Sequence, residues 1–299
     1  MKRDALLAMV VCLAMVPMAA AQNMGAHLTD GPAILDYTTN GIGAFPASSN
    51  GAAGNVPMNF QVHGVPNDPA ERQVFSGNWF YRVQGDDRER HLINPDIRSP
   101  TGSNQMNWHF SQIYSGPGAQ TLVPALSAEM GFQVGSTGPD SAYFYTYLCF
   151  FNAGPIPINV DVFFAADIDL GGTFGGDIYS QLVVNGAGRT WNLTDGSSTG
   201  IMFGPGADAA GVGPFGSILG AMTNNTSSTF MGDLNPGGLG PADLAGVMQF
   251  QETIPPLSMI CFPCYVAIGV NGAPPIIPAP GAFALLGLGG LAAARRRRA

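Results

Sequence analysis

Residues 142–169, AYFYTYLCFFNAGPIPINVDVFFAADID, contain the two clearest strand signals in the chain. An aromatic run ends at residues 152–155, and beyond this break apolar and polar side chains alternate through residue 164. A period of two residues places every second side chain on the same face of a strand. Two such runs around a Gly-Pro break predict a β-hairpin with one buried face.

Weaker signals of the same kind recur along the chain. We predict further strands at residues 33–37, 59–63, 73–84, 107–114, 125–134, 179–184, 189–193, 243–253 and 260–270. The strands at 179–184 and 189–193 are close enough to form a second hairpin. Residues 196–240 are predicted to be mostly loop, with one short helix at residues 215–222.

The composition agrees with an all-β domain. The 299 residues include 41 Gly and 24 Pro, and 46% are hydrophobic while only 11% are charged. Glycine and proline suit turns, and aromatic or β-branched residues suit strands. Residues 22–273 are therefore predicted to form a β-sandwich of roughly eight to twelve strands, with a jelly roll as the alternative topology.

The predicted domain is strongly acidic. It contains six arginines and no lysine against nineteen acids, a net charge of about −13. Such a surface repels phosphate backbones, so nucleic-acid binding is not expected, whereas divalent cations are attracted. The densest charge lies at residues 86–91, which we predict to be a solvated hairpin loop of mixed charge.

The N-terminus predicts export. Lys2 and Arg3 precede an apolar core at residues 5–16, which is too short to span a bilayer. Small residues including Ala19 and Ala21 come just before Gln22. This order is typical of a signal peptide, residues 1–21, that signal peptidase removes after Ala21.

The C-terminus predicts a membrane anchor. Residues 274–294 carry no charge, and the helix predicted at residues 282–294 would be about 20 Å long, which is thin for a bilayer of about 30 Å. A basic block follows, Arg295, Arg296, Arg297 and Arg298. By the positive-inside rule these arginines stay in the cytoplasm, so a single transmembrane helix would hold the domain outside.

Three features in order make residues 274–299 resemble a PEP-CTERM sorting domain. They are the motif Pro278-Ala279-Pro280-Gly281, the apolar helix and the arginine block, with Ala279 where that family usually has Glu. The resemblance implies recognition by an exosortase-type transpeptidase, transient anchoring in the inner membrane and then a cell-surface or extracellular location. It also implies a structural or adhesive component of an extracellular matrix or exopolysaccharide layer, without enzymatic activity.

Segments of the predicted domain resemble ectodomains that often carry such sorting signals. These segments are residues 150–154 and residues 165–170. The resemblance implies a β-sandwich and no particular activity.

The best candidate site is the acidic, glycine-rich segment at residues 167–177. Asp167, Asp169 and Asp177 could direct carboxylates at one Ca²⁺, although the segment departs from an EF-hand loop at its fifth and twelfth positions. The alternative is an acidic turn that ends a strand. Residues 232–244 look like a degenerate dockerin calcium repeat and are predicted to be a loop. We expect no catalytic residue and no other cofactor.

Two other functions remain open at this stage. A carbohydrate-binding module could use Trp79, Trp108 and Trp191, although tryptophans at alternating strand positions usually lie in the core. A secreted hydrolase would need carboxylates paired across a cleft, and the acids occur only in scattered turns.

The cysteines outside the predicted signal peptide are three in number. Cys149, Cys261 and Cys264 allow at most one disulfide, and the spacing leaves the pairing open. We expect Cys261 and Cys264 to lie together at a strand edge.

Overall fold

The computed structural model describes residues 26–37, 58–62, 72–92, 95–116, 121–170, 175–224, 226–234 and 239–277. The predicted signal peptide and the predicted sorting signal from residue 278 onward lie outside these ranges. Within the described ranges, no helix is long and apolar enough to cross a membrane.

The described residues contain nineteen strands and one helix. In chain order they are β1 (Ala26–Asp30), β2 (Ala33–Tyr37), β3 (Met58–Gln61), β4 (Arg72–Val74), β5 (Ser76–Val83), β6 (Arg90–His91), β7 (Ile97–Pro100), β8 (Gln105–Phe110), β9 (Tyr114–Ser115), β10 (Thr121–Leu122), β11 (Leu126–Gly138), β12 (Ser141–Asn152), β13 (Ile158–Asp167), β14 (Ile178–Asn185), β15 (Gly188–Asp195), β16 (Ser198–Pro205), β17 (Ala209–Pro214), α1 (Phe215–Thr223), β18 (Leu244–Ile254) and β19 (Ser258–Gly269).

Two antiparallel sheets form a sandwich. One has eight strands in the order β14-β15-β16-β19-β12-β11-β8-β7, and the other has five in the order β17-β18-β13-β5-β6. Their inner faces share one core, in which the Phe144 and Phe164 rings lie 6.3 Å apart. Trp79 Nε1 also donates a hydrogen bond to Thr146 Oγ1 across the core, at 2.8 Å. The predicted all-β sandwich is confirmed.

Two small sheets add to the sandwich. They are a four-stranded sheet, β1-β2-β3-β4, and a two-stranded sheet, β10-β9. The strand count therefore exceeds the predicted eight to twelve.

The hairpin predicted for residues 142–164 is wrong. β12 pairs with β11 and β19 in the larger sheet, whereas β13 pairs with β18 and β5 in the smaller one. Asn152 shapes the crossing, because its Nδ2 donates to the Ile156 carbonyl at 2.7 Å and its Oδ1 accepts from the Gly154 amide at 2.9 Å. Alternation of apolar and polar residues shows only that a strand has one buried face. Two such strands can be neighbours in one sheet or can face each other across a sandwich, so the pattern does not identify the partner.

Other predicted boundaries also change. The second hairpin is confirmed as β14 and β15. The single strand predicted at residues 73–84 is two strands in different sheets, β4 and β5. Residues 196–240 contain β16 and β17 as well as α1, so the predicted loop is wrong there. Glycines in these strands meet large neighbours: a Cβ on Gly211 would lie 2.4 Å from the Phe230 ring.

The charged segment at residues 86–91 lies in the hairpin of β5 and β6, as predicted, but it is solvated only in part, at Asp87. Glu89 and Arg90 are buried. Arg82 Nη1 donates to Glu89 Oε1 at 2.7 Å, and the Ser228 amide donates to the same oxygen at 2.7 Å. Burial raises the pKa of Glu89, and the Ser228 amide opposes this shift. The predicted solvation failed at Glu89 because the chain beyond α1 covers it.

The disulfide joins Cys149 and Cys261, which face each other in β12 and β19. Cys264 is a buried free thiol. The pairing of β19 with β16 stops at Tyr265, so Cys261 and Cys264 lie on a stretch of β19 that pairs with β12 alone, as the predicted strand-edge position requires. One bridge agrees with the predicted maximum.

Candidate metal centre

Three carboxylates meet where β13 ends and β18 begins. Asp167 is the last residue of β13, Asp169 lies two residues beyond it, and Asp243 immediately precedes β18. The antiparallel register pairs Asp167 with Ala245, which brings the two chain segments side by side. One oxygen from each of the three carboxylates lies within 4.8 Å of the others.

A fourth carboxylate, Asp177, stands beside these three. Its Oδ1 accepts a hydrogen bond from the Leu170 amide at 3.0 Å. Its backbone carbonyl accepts from the Ala242 amide at 3.0 Å, which ties the start of β14 to the segment that carries Asp243. We call Asp167, Asp169, Asp177 and Asp243 the aspartate cluster.

Asp195 lies close to the aspartate cluster. A Cβ on Gly176 would lie 2.5 Å from an Asp195 carboxylate oxygen, so only glycine at this position allows so close an approach. The charge of Asp195 is one of the causes that raise the pKa of Asp177. Asp195 therefore adds a fifth acidic group next to Asp177.

The aspartate cluster is buried and incompletely hydrogen-bonded. Asp167, Asp169 and Asp177 are 1%, 3% and 0% exposed, and Asp243 is half-buried. Each of the four has a buried carboxylate oxygen without a hydrogen-bond partner among the described residues: Oδ1 of Asp167, Asp169 and Asp243, and Oδ2 of Asp177. An ionised carboxylate in such a position costs several kcal/mol unless an opposite charge compensates it.

The pKa values reflect this lack of compensation. Burial, and then the charge of Asp243, raises the pKa of Asp169 to about 7. Burial raises the pKa of Asp177 to about 8, with the Leu170 amide opposing the shift. Burial and the neighbouring aspartates raise the pKa of Asp167 well above its usual value, and burial also raises that of Asp243. Without a cation, the folded protein holds protons here at pH values where a free aspartate is ionised.

The ligand set is typical of a hard cation. The grouped ligand atoms are all carboxylate oxygens, without histidine or cysteine, so zinc is not the expected ion. Ca²⁺ takes six to eight oxygens at about 2.4 Å, so two of its ligands lie at most about 4.8 Å apart. The oxygens of Asp167, Asp169 and Asp243 meet this limit. Four carboxylates offer up to eight oxygens to one ion.

The structure groups Asp167 and Asp169 with Asp243, which the sequence analysis missed, and it places the third predicted aspartate, Asp177, beside them. Asp243 lies in residues 232–244, which resemble a degenerate calcium repeat and are predicted to be a loop. Asp233 from the same segment is engaged elsewhere, since its Oδ1 accepts from Arg189 Nε at 2.9 Å. The prediction that acids occur only in scattered turns is wrong. The useful signal was the presence of two weak calcium-like segments in one chain.

The tryptophans do not form a sugar-binding site. Trp79, Trp108 and Trp191 are 0% exposed and belong to the core, so they cannot stack on a sugar. The alternative interpretation, a core position, is confirmed for all three.

A cleft of about 470 Å³ lies at the opposite end of β13 from the aspartate cluster. Its lining includes Arg82, Asn159 and Asp161. The Arg82 guanidinium already contacts the carboxylates of Asp161 and Glu89. The cleft therefore does not give access to the buried aspartates.

Comparisons with known proteins identify no family for this chain. No family model matches the sequence, and no curated protein matches it either. Among solved structures, one similar protein is described as an aldose 1-epimerase from Escherichia coli K12, with 9% identity, 82% coverage of this chain, 99% of the other and a TM-score of 0.40. A galactose mutarotase related enzyme from Lactobacillus acidophilus has 5% identity, coverage of 85% and 100%, and a TM-score of 0.43.

A third solved structure has a similar description. It is an aldose epimerase homologue from C. elegans, with 8% identity, coverage of 83% and 100%, and a TM-score of 0.38. These findings contradict the prediction of a structural or adhesive protein without enzymatic activity. At such identities and TM-scores, the likeness assigns no activity, substrate or catalytic residue to this chain.

Proposed function

We propose that this protein binds one Ca²⁺ ion at the aspartate cluster of an exported β-sandwich. The observation that carries this proposal is the set of four buried carboxylate oxygens without hydrogen-bond partners. A divalent cation supplies the positive charge that these oxygens lack, and it replaces the protons that burial otherwise retains. No part of the proposal depends on the solved structures of low similarity.

The position of the cluster suggests what the ion does. Asp167 ends β13 of the five-stranded sheet, and Asp243 immediately precedes β18 of the same sheet. Asp177 immediately precedes β14, which is an edge strand of the eight-stranded sheet. Coordination of one ion by these residues would link the two sheets. Ca²⁺ binding is therefore proposed to stabilise the connection between β13 and β14 and the entry to β18.

Export to a Ca²⁺-rich environment is the second part of the proposal. The support consists of the predicted signal peptide at residues 1–21 and the disulfide between Cys149 and Cys261, since disulfides persist mainly in oxidising compartments. Extracellular calcium modules commonly bind with dissociation constants of about 10⁻⁴ to 10⁻³ M. An exported protein would meet enough calcium to fill a site of that affinity.

We also propose that residues 278–299 act as a sorting signal. Signal peptidase and an exosortase-type transpeptidase are the expected partners, with temporary anchoring by the helix at residues 282–294 and later release to the surface. The support is the order of the motif, the apolar helix and the arginine block in the sequence.

Isothermal titration calorimetry of protein freed of metal by a chelator tests the calcium proposal. We expect one Ca²⁺ per chain, and loss of binding in Asp167→Asn. Glu252→Gln is a matched control, because this exposed acid lies near the far end of β18 from Asp243. Equal Ca²⁺ affinity in all three proteins would refute the proposed site, and a stronger response to Mg²⁺ than to Ca²⁺ would change the identity of the ion.

A further inference from the structure

A group of aromatic side chains lies on the outer face of the eight-stranded sheet. Tyr143, Tyr145 and Tyr147 alternate with buried residues of β12, so their side chains point away from the core. Tyr265 of β19 and Phe203 of β16 lie on the same face. We call these five residues the aromatic strip.

Four rings of the aromatic strip lie next to one another. The ring centroids of Tyr145 and Tyr147 are 5.8 Å apart, and those of Tyr145 and Tyr265 are 4.8 Å apart. The Phe203 and Tyr265 rings stack at 6.1 Å. Tyr265 is buried among its neighbours, whereas the other four side chains are partly exposed. Along β12, the strip extends about 13 Å.

Two glycines set the orientation of the outer tyrosines. A Cβ on Gly131 would lie 2.4 Å from the Tyr147 ring, and one on Gly135 would lie 2.4 Å from the Tyr143 ring. Each ring therefore leans across β11, over a glycine rather than over a side chain. Tyr147 is held further by its hydroxyl, which donates to Glu129 Oε1 at 2.7 Å.

Few charged groups lie near the strip, and most of them are acidic. β8, β11, β12, β16 and β19 together contain one Asp, Glu, Lys or Arg, which is Glu129, and β15 adds Arg189 and Asp195. Burial, and then the charge of Asp30, raises the pKa of Tyr143, so Asp30 also lies near the strip. The chain as a whole has 32 such residues, so this is an unusual part of an acidic protein. The outward residues beside the strip include the apolar Ile201 and six amides and hydroxyls: Gln105, Asn107, Gln133, Thr190, Asn192 and Thr199.

These features match one class of ligand. Flat aromatic faces pack against the C–H groups of a sugar ring, and amide and hydroxyl side chains can bond its hydroxyls. The charges nearest the tyrosines, Glu129 and Asp30, are both negative, so this face repels an anionic polymer. A shallow site gains affinity when several sugar units of one chain contact it.

We propose that the aromatic strip binds a neutral polysaccharide. The proposal concerns residues other than the buried tryptophans, and it is independent of calcium binding. The polysaccharide lies along β12, with its sugar faces on Tyr143, Tyr145 and Tyr147 and its hydroxyls toward the flanking amides.

Affinity electrophoresis in gels that contain soluble starch, galactomannan or β-glucan tests this proposal, with alginate as the anionic comparison. We expect retardation by at least one neutral polymer and none by alginate. Tyr145→Ala combined with Tyr143→Ala should weaken binding by about tenfold or more. Tyr114→Ala is the matched control, because Tyr114 is a partly exposed tyrosine of β9, in a different sheet from the strip.

Two further measurements keep the result interpretable if the double variant folds poorly. NMR signals of the tyrosine rings in the wild-type protein should shift when an oligosaccharide of the retained polymer is added. Sedimentation should show the same oligomeric state for the wild type and for Tyr145→Ala. Absence of retardation by every neutral polymer, retardation by alginate alone, or self-association that requires Tyr145 would overturn the proposal.

Discussion

Asp167 and Asp243 bring carboxylate oxygens within 4.8 Å of each other, although the two residues lie far apart in the chain. The pairing of β13 with β18 creates this proximity. Asp169 and Asp177 complete a buried acidic group that needs either protons or a cation.

Replacement of Asp167 by Asn should separate folding from calcium binding. In a chelator, we expect Asp167→Asn to be as stable as the wild type or more stable, because a buried acid without a counter-charge has been removed. Saturating Ca²⁺, at about 100 times the dissociation constant, should add about 2.7 kcal/mol to the wild type alone. Thermal unfolding with and without Ca²⁺ measures both effects, and Glu252→Gln should behave like the wild type. A full calcium response in Asp167→Asn would exclude this residue as a ligand.

The metal-free protein should lose stability as the pH rises from about 4 to about 8. The pKa values of Asp169 and Asp177 rise from 3.8 to about 7 and about 8 on folding. Within this window the unfolded chain releases protons that the folded chain retains, so rising pH favours unfolding. We expect a decrease on the order of 1 kcal/mol per pH unit near neutral pH.

Calcium should reverse this trend, because bound carboxylates must be deprotonated. Urea unfolding at several pH values, in a chelator and in excess Ca²⁺, makes the comparison. Parallel pH profiles in the two conditions would contradict coupling between the ion and these acids.

Much of the fold was predictable because strands with one buried face carry a local signal. β2 was predicted with the observed boundaries, and the hairpin of β14 and β15 was also correct. Partner choice carries no such signal, so β12 and β13 were joined in a hairpin although they belong to different sheets. β16 and β17 were missed because their glycines fit beside large core residues rather than in turns.

The candidate site was predictable only in part. Asp167, Asp169 and Asp177 lie in one short segment and attract attention together. Asp243 joins them through strand pairing, which no local pattern reveals. The buried state of Glu89 was hidden for the same reason, since its partners Arg82 and Ser228 come from other parts of the fold.

Gly246 should tolerate no side chain. A Cβ at this position would lie 1.9 Å from the Trp191 ring, which is fully buried. We expect Gly246→Ala to destabilise the protein by about 3 kcal/mol, as overpacking of a core does. Gly220→Ala is the control, because Gly220 lies in α1 with open space around it and alanine favours helix by up to about 1 kcal/mol. Urea unfolding of both variants should therefore give changes of opposite sign.

The proposed sorting signal makes a separate prediction. If a transpeptidase processes the C-terminus, surface protein from whole cells should lack Arg295, Arg296, Arg297 and Arg298. Mass spectrometry of the C-terminal peptide measures this directly. An intact arginine tail on most of the surface protein would refute processing and favour a plain membrane anchor.

The most direct test of the calcium proposal is an anomalous difference map from crystals grown in CaCl₂. We predict one Ca²⁺ peak within about 2.6 Å of carboxylate oxygens from Asp167, Asp169 and Asp243. Asp177 should lie beside the ion or bind it directly. A map without a peak at the aspartate cluster, from crystals soaked at millimolar Ca²⁺ and neutral pH, would contradict the proposed function.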